Sequence, residues 1–426
     1  MSPQELKSEL EAAQDASADI ALLKSALAVE SVTGNETGFA RFLDQELTKL
    51  GLTTGREEFL EGRENVWAEQ VGEPGQNLMI VGHTDTVHVR GWPEHWGEDA
   101  RSNPFAGTEH DGFIWGRGAS DLKGGICAAI AGLRLLQAAG YAPKQTLTFA
   151  FIGDEESGEP GTGVSAGAKH LVQQVTAGEI AKPDFAVYVE PTNLDVYTAQ
   201  IGFFIAEITI KGKTAYFGTP EHGVDALKAT HQLLSQIWQH EADLAASPAH
   251  DLVGPPSILV THLGCGGFIA VPGEGNLSLI RKLRPGEDLD EAVAAFEASL
   301  DVEALPEGIS ISIDYPAGRD HPKGGSPVEI ARDNPQALLL RECVQQFRPE
   351  AGNIAGAPFW SEMPFLTNQI GCPAIYFAPG DIAVAHTFEE RIDIEDYLAA
   401  VRSFALFIAR YCGVRSKNEH PTRRTS

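Results

Sequence analysis

The chain has 426 residues, with 32 basic against 59 acidic side chains and a formal net charge of −27 at pH 7. That length exceeds what one hydrophobic core usually fills, so two domains are expected; the charge repels nucleic acid and anionic lipid, so neither nucleic acid nor membrane is expected as a partner. Five scattered cysteines without CxxC spacing exclude a disulfide framework and a thiolate zinc knuckle, and no apolar run reaches the length of a membrane span, which together predict a cytoplasmic protein with reduced thiols.

In chain order, Met1 to Ala21 carries an acidic amphipathic helix pattern rather than a basic, cleavable leader. From Leu78 to about Val189 apolar runs alternate with helical patterns, as βαβ units do: strands at Leu78–Val81, Leu147–Ile152 and Phe185–Val189, and an Ala/Leu-rich helix at Gly124–Ala139. The expected fold class is α/β, a mostly parallel sheet flanked by helices. Between Gly202 and Asp314 the order changes to strand Phe203–Ile210, helix Gly223–His240, strands Ser257–His262 and Leu277–Leu283, helix Leu289–Leu300 and strand Ile309–Ile313. This βαββαβ order predicts an inserted ferredoxin-like α+β domain. The Pro/Gly-rich piece Tyr315–Pro327 returns the chain to the first domain, with helix Pro335–Phe347, strand Ala374–Phe377 and closing helix Ile392–Tyr411. The expected domains are therefore 1–200 with 316–426 for catalysis, and 201–315 as an inserted lid or oligomerisation domain. The tail after Gly413, with Arg415, Lys417, Arg423 and Arg424, reads as a loose basic end.

The chemistry-bearing residues sit at strand ends. His83 and Asp85, in Val81-Gly82-His83-Thr84-Asp85, fall on one face of an extended run, which suits a metal-binding imidazole with an orienting carboxylate; a hydrogen-bonded core histidine remains the plain alternative. Asp154-Glu155-Glu156 ends a strand too apolar to lie at the surface, and three acids placed there would repel one another unless a cation sits among them. Asp121 follows Gly116-Arg117-Gly118-Ala119-Ser120, Glu190 closes another strand, and His386 supplies a second imidazole near the end of the chain. In doubly wound sheets ligands bind at the carboxyl ends of the strands, so the three strand ends carrying His83, Asp154-Glu155-Glu156 and Glu190, each directly after an apolar run, are expected to converge on one crevice.

At these residues the chain resembles the metal-dependent aminoacylase and carboxypeptidase family that includes acetylornithine deacetylase, succinyl-diaminopimelate desuccinylase and glutamate carboxypeptidase. His83-Thr84-Asp85, the run from Gly116 to Gly125, Asp154 to Gly158 and His386-Thr387 occur in order with matching gaps, and the resemblance covers about Leu22 to Tyr411. It implies one or two divalent transition-metal ions (zinc, manganese or cobalt) per subunit. His83 would bind one metal with Asp85 orienting it, Asp121 would bridge two, Glu156 and Glu190 would bind one each, His386 would complete the set, and Glu155 would be the general base. It also implies a homo-oligomer, dimer or higher, formed through the inserted domain.

One departure bears on the substrate. The family has Gly-Lys-x-x-His in the inserted domain, whose histidine stabilises the oxyanion of an amide intermediate; here Gly212-Lys213-Thr214-Ala215 is followed by Tyr216. A neutral phenol donates a hydrogen bond but carries no positive charge. Ile269 stands near the position of an asparagine that the family usually carries, and the basic residue before Pro285 is ambiguous among Arg281, Lys282 and Arg284. Tyr216, His222 and Arg284 are the expected substrate contacts. The expected function is hydrolysis of a C–N bond in a small carboxylate-bearing molecule. Loss of the histidine points to an aromatic amine of the 5-nitroanthranilate type, deaminated to the hydroxy acid and ammonia, because such a ring accepts the developing charge itself. Tyr216, Phe217, Phe268, Ile269, Phe359 and Trp360 would suit a flat ring. The alternatives are an N-acyl amino acid deacylase or dipeptidase-like amidohydrolase, in which Tyr216 or His222 does the histidine's work, and a non-catalytic binding protein on the same fold.

Overall fold

The computed structural model describes residues 3–156 and 162–416. These divide into a larger unit, 3–156 with 162–198, 330–355 and 365–416, and a smaller one, 199–329 with 356–364.

The larger unit opens with helices α1 (Pro3–Ala13), α2 (Ala16–Leu27) and α3 (Thr37–Lys49). The amphipathic pattern at the start is therefore broken in two, because the Asp15 side chain accepts the Ala18 amide and starts a fresh helix. Strands β1 (Thr53–Leu60) and β2 (Arg63–Gln70) form a hairpin that sequence reading left unassigned; β1 carries three consecutive charges, Arg56-Glu57-Glu58, at its centre and buries little, so it lacks a clear apolar alternation. Then follow β3 (Glu73–His83), α4 (Gly124–Ala138), β4 (Gln145–Ile152), α5 (Ala166–Ala177), β5 (Phe185–Tyr188) and β6 (Val196–Gln200).

After the smaller unit come helix α8 (Pro335–Gln345), β11 (Ala374–Tyr376) and α9 (Ile394–Cys412). The sheet runs β1-β2-β4-β3-β5-β11-β6. Its centre, β4-β3-β5-β11, is parallel and its flanks are antiparallel. Leu78 to Val81 and Leu147 to Ile152 are buried on both faces, as central parallel strands require. Helix α4 is buried along almost its whole length and packs on α9; a Cβ at Gly132 would come within 2.7 Å of the Phe404 Cβ, so glycine permits that close crossing. The closing helix starts at Ile394 rather than Ile392, because Ile392 pairs with Ile114 as a strand and Asp393 caps the helix through the Asp396 amide. The tail is tied at its start: Val414–Ser416 pairs with Tyr141–Pro143. Lys417, Arg423 and Arg424 lie outside the described residues.

The smaller unit holds β7 (Gly202–Lys211), α6 (Ala226–Ala245), β8 (Ser257–Cys265), β9 (Glu274–Leu283), α7 (Leu289–Ala298) and β10 (Ser310–Asp314). Its antiparallel order β8-β9-β7-β10 is the ferredoxin-like arrangement. Alternate residues of β7 (Phe204, Ala206, Ile208, Ile210) pack with Leu277, Leu279 and Leu283 of β9 and with Leu233, Ile237, Val293 and Phe296 of the helices. Asp225 and Asp288 cap the two helices, which is why α6 begins three residues later than its apolar pattern.

Candidate metal centre

His83 ends β3 with its ring buried. Its Nδ1 lies 2.9 Å from the Asp85 main-chain carbonyl, so Nδ1–H donates there and Nε2 faces the cluster. That Nε2 is 3.1 Å from Asp121 Oδ1 and 3.7 Å from Glu190 Oε1. The second imidazole approaches from the far end of the chain, on a loop where His386 takes a left-handed φ of 60°. His386 Nε2 is 3.2 Å from Asp121 Oδ2 and 3.0 Å from Glu156 Oε1. Asp121 thus turns one oxygen to each imidazole, with Glu190 on the side of His83 and Glu156 on the side of His386.

The residues around this cluster divide the labour differently from the sequence expectation. The Asp85 carboxylate stands 3.8 Å from His83 Nδ1 and instead accepts the amides of Glu155 at 3.3 Å and Glu156 at 2.9 Å, and the Thr33 hydroxyl at 3.0 Å. It orients the loop that carries the two glutamates, and the imidazole is oriented by the carbonyl of the same residue. Asp154 does not join the group that would need a cation. It adopts a left-handed φ of 74° and turns its carboxylate to Arg63 at 2.8 Å and to the amides of Gly163, Val164 and Ala166. Glu155 is half-buried, and its charge acts on His83.

The electrostatics follow from this crowding. Burial raises Glu156, and the neighbouring Asp121 charge raises it further. Asp121, although buried, is held well below the ordinary carboxylate range by hydrogen bonds from His386 and His83. Burial would depress both imidazoles; Asp121 outweighs it, helped by Glu190 and Glu155 at His83 and by Glu156 at His386, holding His83 well up and His386 at about 11. In the metal-free protein the imidazole protons therefore supply the positive charge that the carboxylates demand. A divalent cation would displace them, as metal binding generally does. His83, Asp121 and Glu156 each offer a ligand atom, all within 4.8 Å of one another. An imidazole and carboxylate set of this kind suits zinc, manganese or cobalt.

Tyr216, His222 and Arg284 all belong to the smaller unit. Tyr216 is 60% exposed, stacked at a tilt on Phe217 with centroids 4.6 Å apart, and bridged to Ala270; Phe268 is 99% exposed. His222 ends a short 3-10 turn and is exposed. Of the three basic candidates before Pro285, Arg281 is paired with Glu287 at 2.6 Å and Lys282 Nζ donates to the Val253 carbonyl at 2.6 Å. The Arg284 Nε is buried without an acceptor among the described residues. Trp360 is partly packed, edge-on to Phe203 at 5.7 Å, with its indole N–H donated to the Ser326 carbonyl.

Sequence reasoning missed the charged residues behind the cluster: Arg63 with Glu36 and Asp154, and Arg117 with Glu390. Their only trace in the sequence is adjacency, Arg117 lying between two glycines and Glu390 four residues after His386. Burial of a lone arginine or glutamate leaves no periodic signal.

Residues 79–410 match the sequence pattern of peptidase family M20/M25/M40. The acetylornithine deacetylase of Myxococcus xanthus is 28% identical over 389 residues, covering 88% of this chain and 92% of that protein. The succinyl-diaminopimelate desuccinylase of Gluconacetobacter diazotrophicus is 26% identical over 412 residues, covering 92% and 97%. Among solved structures, the M20 family metallo-carboxypeptidase Sso-CP2 from Sulfolobus solfataricus shares the fold with a TM-score of 0.73 at 17% identity, over 92% of this chain and 99% of that one. The non-catalytic alternative thereby falls away. With a match over most of its length and its imidazoles and carboxylates gathered beyond the carboxyl ends of the central strands, the protein is a divalent-metal-dependent hydrolase of C–N bonds and belongs to peptidase family M20/M25/M40.

Proposed function

We propose that the chain hydrolyses the amide bond of a small carboxylate-bearing substrate, an N-acyl amino acid or a dipeptide. The observation that carries this reading is the meeting of His83, Asp121, Glu156, Glu190 and His386 at the carboxyl ends of the parallel strands. His83, Asp121 and Glu190 would hold one ion and Asp121, Glu156 and His386 a second. Such an ion makes water more acidic and polarises the carbonyl. Glu155, beside the cluster, takes the proton from the attacking water and delivers it to the leaving nitrogen. Asp85 keeps Glu155 and Glu156 in register through their amides, while Arg284 supplies charge for the substrate carboxylate and Tyr216 or His222 a hydrogen bond to the developing oxyanion. The relatives named for deacetylation and desuccinylation support amide cleavage.

A second reading, deamination of an aromatic amine of the 5-nitroanthranilate type, gains no support from those relatives. What favours it is Tyr216, with Phe217, Phe268 and Ile269 exposed beside it, in place of a charged oxyanion donor. Incubating the zinc- or manganese-loaded protein with N-acetyl and N-succinyl amino acids, dipeptides and a nitro-substituted anthranilate separates the two. Equal yields of a new amine and a new carboxylate support amide cleavage, whereas ammonia with a hydroxy acid supports the ring reaction. No turnover of any of them by metal-loaded protein would count against both.

The smaller unit serves, in this proposal, as the lid and oligomerisation domain. β8 is an edge strand of its sheet, and Leu259 and Leu263 on it, with Leu227 and Trp238 on the adjacent α6, are exposed. An open edge with exposed apolar side chains suits a second copy of the chain. Light scattering should give a dimer or larger assembly that Leu263→Arg reduces to monomer; a monomeric parent protein sinks the idea. No helix among the described residues is long and apolar enough to cross a membrane. The five unpaired cysteines support placing the enzyme in the cytoplasm.

A further inference from the structure

We propose that Glu390 is a positioning residue for the metal centre, acting through the backbone of the Asp121 loop and through Arg117; the inference rests on the metal-binding reading of Asp121 and His386 given above. The Glu390 side chain is fully buried. One oxygen, Oε1, accepts three backbone amides of a single loop: Gly118 at 2.9 Å, Ser120 at 3.2 Å and Asp121 at 3.1 Å. The other, Oε2, accepts Arg117 Nη1, and Arg117 Nη2 donates to the Thr387 carbonyl at 3.3 Å. One carboxylate and one guanidinium thus pin the loop that ends on Asp121 to the segment that begins with His386.

The arrangement is shaped for an anion. Gly118 takes a left-handed φ of 84°, which turns its N–H inward with those of Ser120 and Asp121, and converging amides of this kind form a concave anion site. Burying a carboxylate is costly unless it is paired and fully hydrogen-bonded, and Glu390 is both. Flanking contacts tie the same loop to residues on either side of His386: the Gly116 amide donates to the Glu390 carbonyl at 3.2 Å, and the Ser120 hydroxyl donates to the Asp381 carbonyl at 3.0 Å. Asp121 and His386 stand 3.2 Å apart on the front of this joint, although they are far apart in sequence. Their spacing is therefore set from behind, and Glu390 touches both the Asp121 backbone amide and Arg117, whose guanidinium reaches the Thr387 carbonyl beside His386.

Supporting groups of this kind change metal affinity by about 10–100-fold when removed. The test is zinc affinity, measured by competition with a chromophoric chelator on the dialysed full-length protein, together with the rise in melting temperature that zinc produces. Glu390→Gln keeps the size and an acceptor oxygen but leaves Arg117 without a counter-charge; Glu390→Asp keeps the charge but cannot span both the amides and Arg117. The parent protein should bind zinc, and each variant should bind it about 10–100-fold more weakly with a smaller zinc-induced rise in melting temperature. If Glu390→Gln does not fold, Glu390→Asp decides alone. Zinc affinity within twofold of the parent in a folded variant overturns the proposal, including the case where only the metal-free melting temperature falls, which would make Glu390 merely structural. Absence of zinc binding by the parent protein would instead overturn the metal reading on which it rests.

Discussion

The two units spend buried polarity in opposite ways. In the larger one, His83, Asp85, Asp121, Glu156 and Glu190 are buried together, and behind them lie Glu36, Arg63, Asp154, Arg117 and Glu390. In the smaller one the core of β7, β9, α6 and α7 is apolar, and the charged side chains buried among its described residues are Arg281 and Glu362. Burying charge costs free energy unless each group is paired, so a fold does not gather this much of it for stability alone. The larger unit carries its charges because the chemistry needs them, whereas the smaller unit carries its distinguishing side chains, Tyr216, Phe217 and Phe268, on the outside.

That contrast can be broken at several points, the largest effect expected at the proposed base. Glu155→Gln should lower turnover by about 10²–10⁴ while metal content, measured by mass spectrometry of the dialysed protein, stays at the parent level. Retained turnover would remove Glu155 from that role. Next come the paired charges behind the site. Arg63→Met leaves both Glu36 and Asp154 buried without their counter-charge and should cost about 3–5 kcal/mol, read by chemical denaturation, and should weaken metal binding because the Glu155–Glu156 loop loses its anchor. A core change of similar size in the smaller unit sharpens the comparison: Phe296→Ala should also cost about 3–5 kcal/mol and leave zinc affinity unchanged.

Acid and base provide a further test of the larger unit. In the metal-free protein the pKa of His386 is raised from the ordinary imidazole value of 6.5 to about 11. The stability it contributes is therefore complete below pH 6.5 and is lost as pH rises through about 11. Metal-free protein should lose melting temperature as the pH is raised across that window, and His386→Ala should flatten the loss. Zinc binding should release protons and tighten with rising pH, since the cation displaces them; calorimetry in buffers of different ionisation enthalpy reads this directly. The smallest effect is expected for Tyr216→Ala, whose exposed ring should leave stability within about 0.5 kcal/mol while changing kcat/KM on the true substrate.

Much of this protein was legible without coordinates. The parallel core strands announce themselves as unbroken apolar runs, and the βαββαβ order of the smaller unit follows from its periodicities, because burial on one face or two imposes a repeat that survives in the sequence. The hairpin β1–β2 was not legible, since its first strand buries little and its charges mask the alternation. Helix starts were misjudged by two or three residues at α6 and α9, where Asp225 and Asp393 decide the boundary by hydrogen-bonding free amides.

The order of residue types along the chain determined which side chains are candidates for metal chemistry, because imidazoles and carboxylates at the ends of buried strands are costly there without a purpose. Only the tertiary structure decided how they share the work. It turned Asp154 away to Arg63, gave the orientation of His83 to a carbonyl rather than a carboxylate, and placed Glu390 under Asp121. Hydrogen bonds are short-ranged and directional, so whether a buried carboxylate faces a partner arginine, a row of amides or a metal depends on ångström-scale geometry between residues far apart in the chain, which no local pattern records.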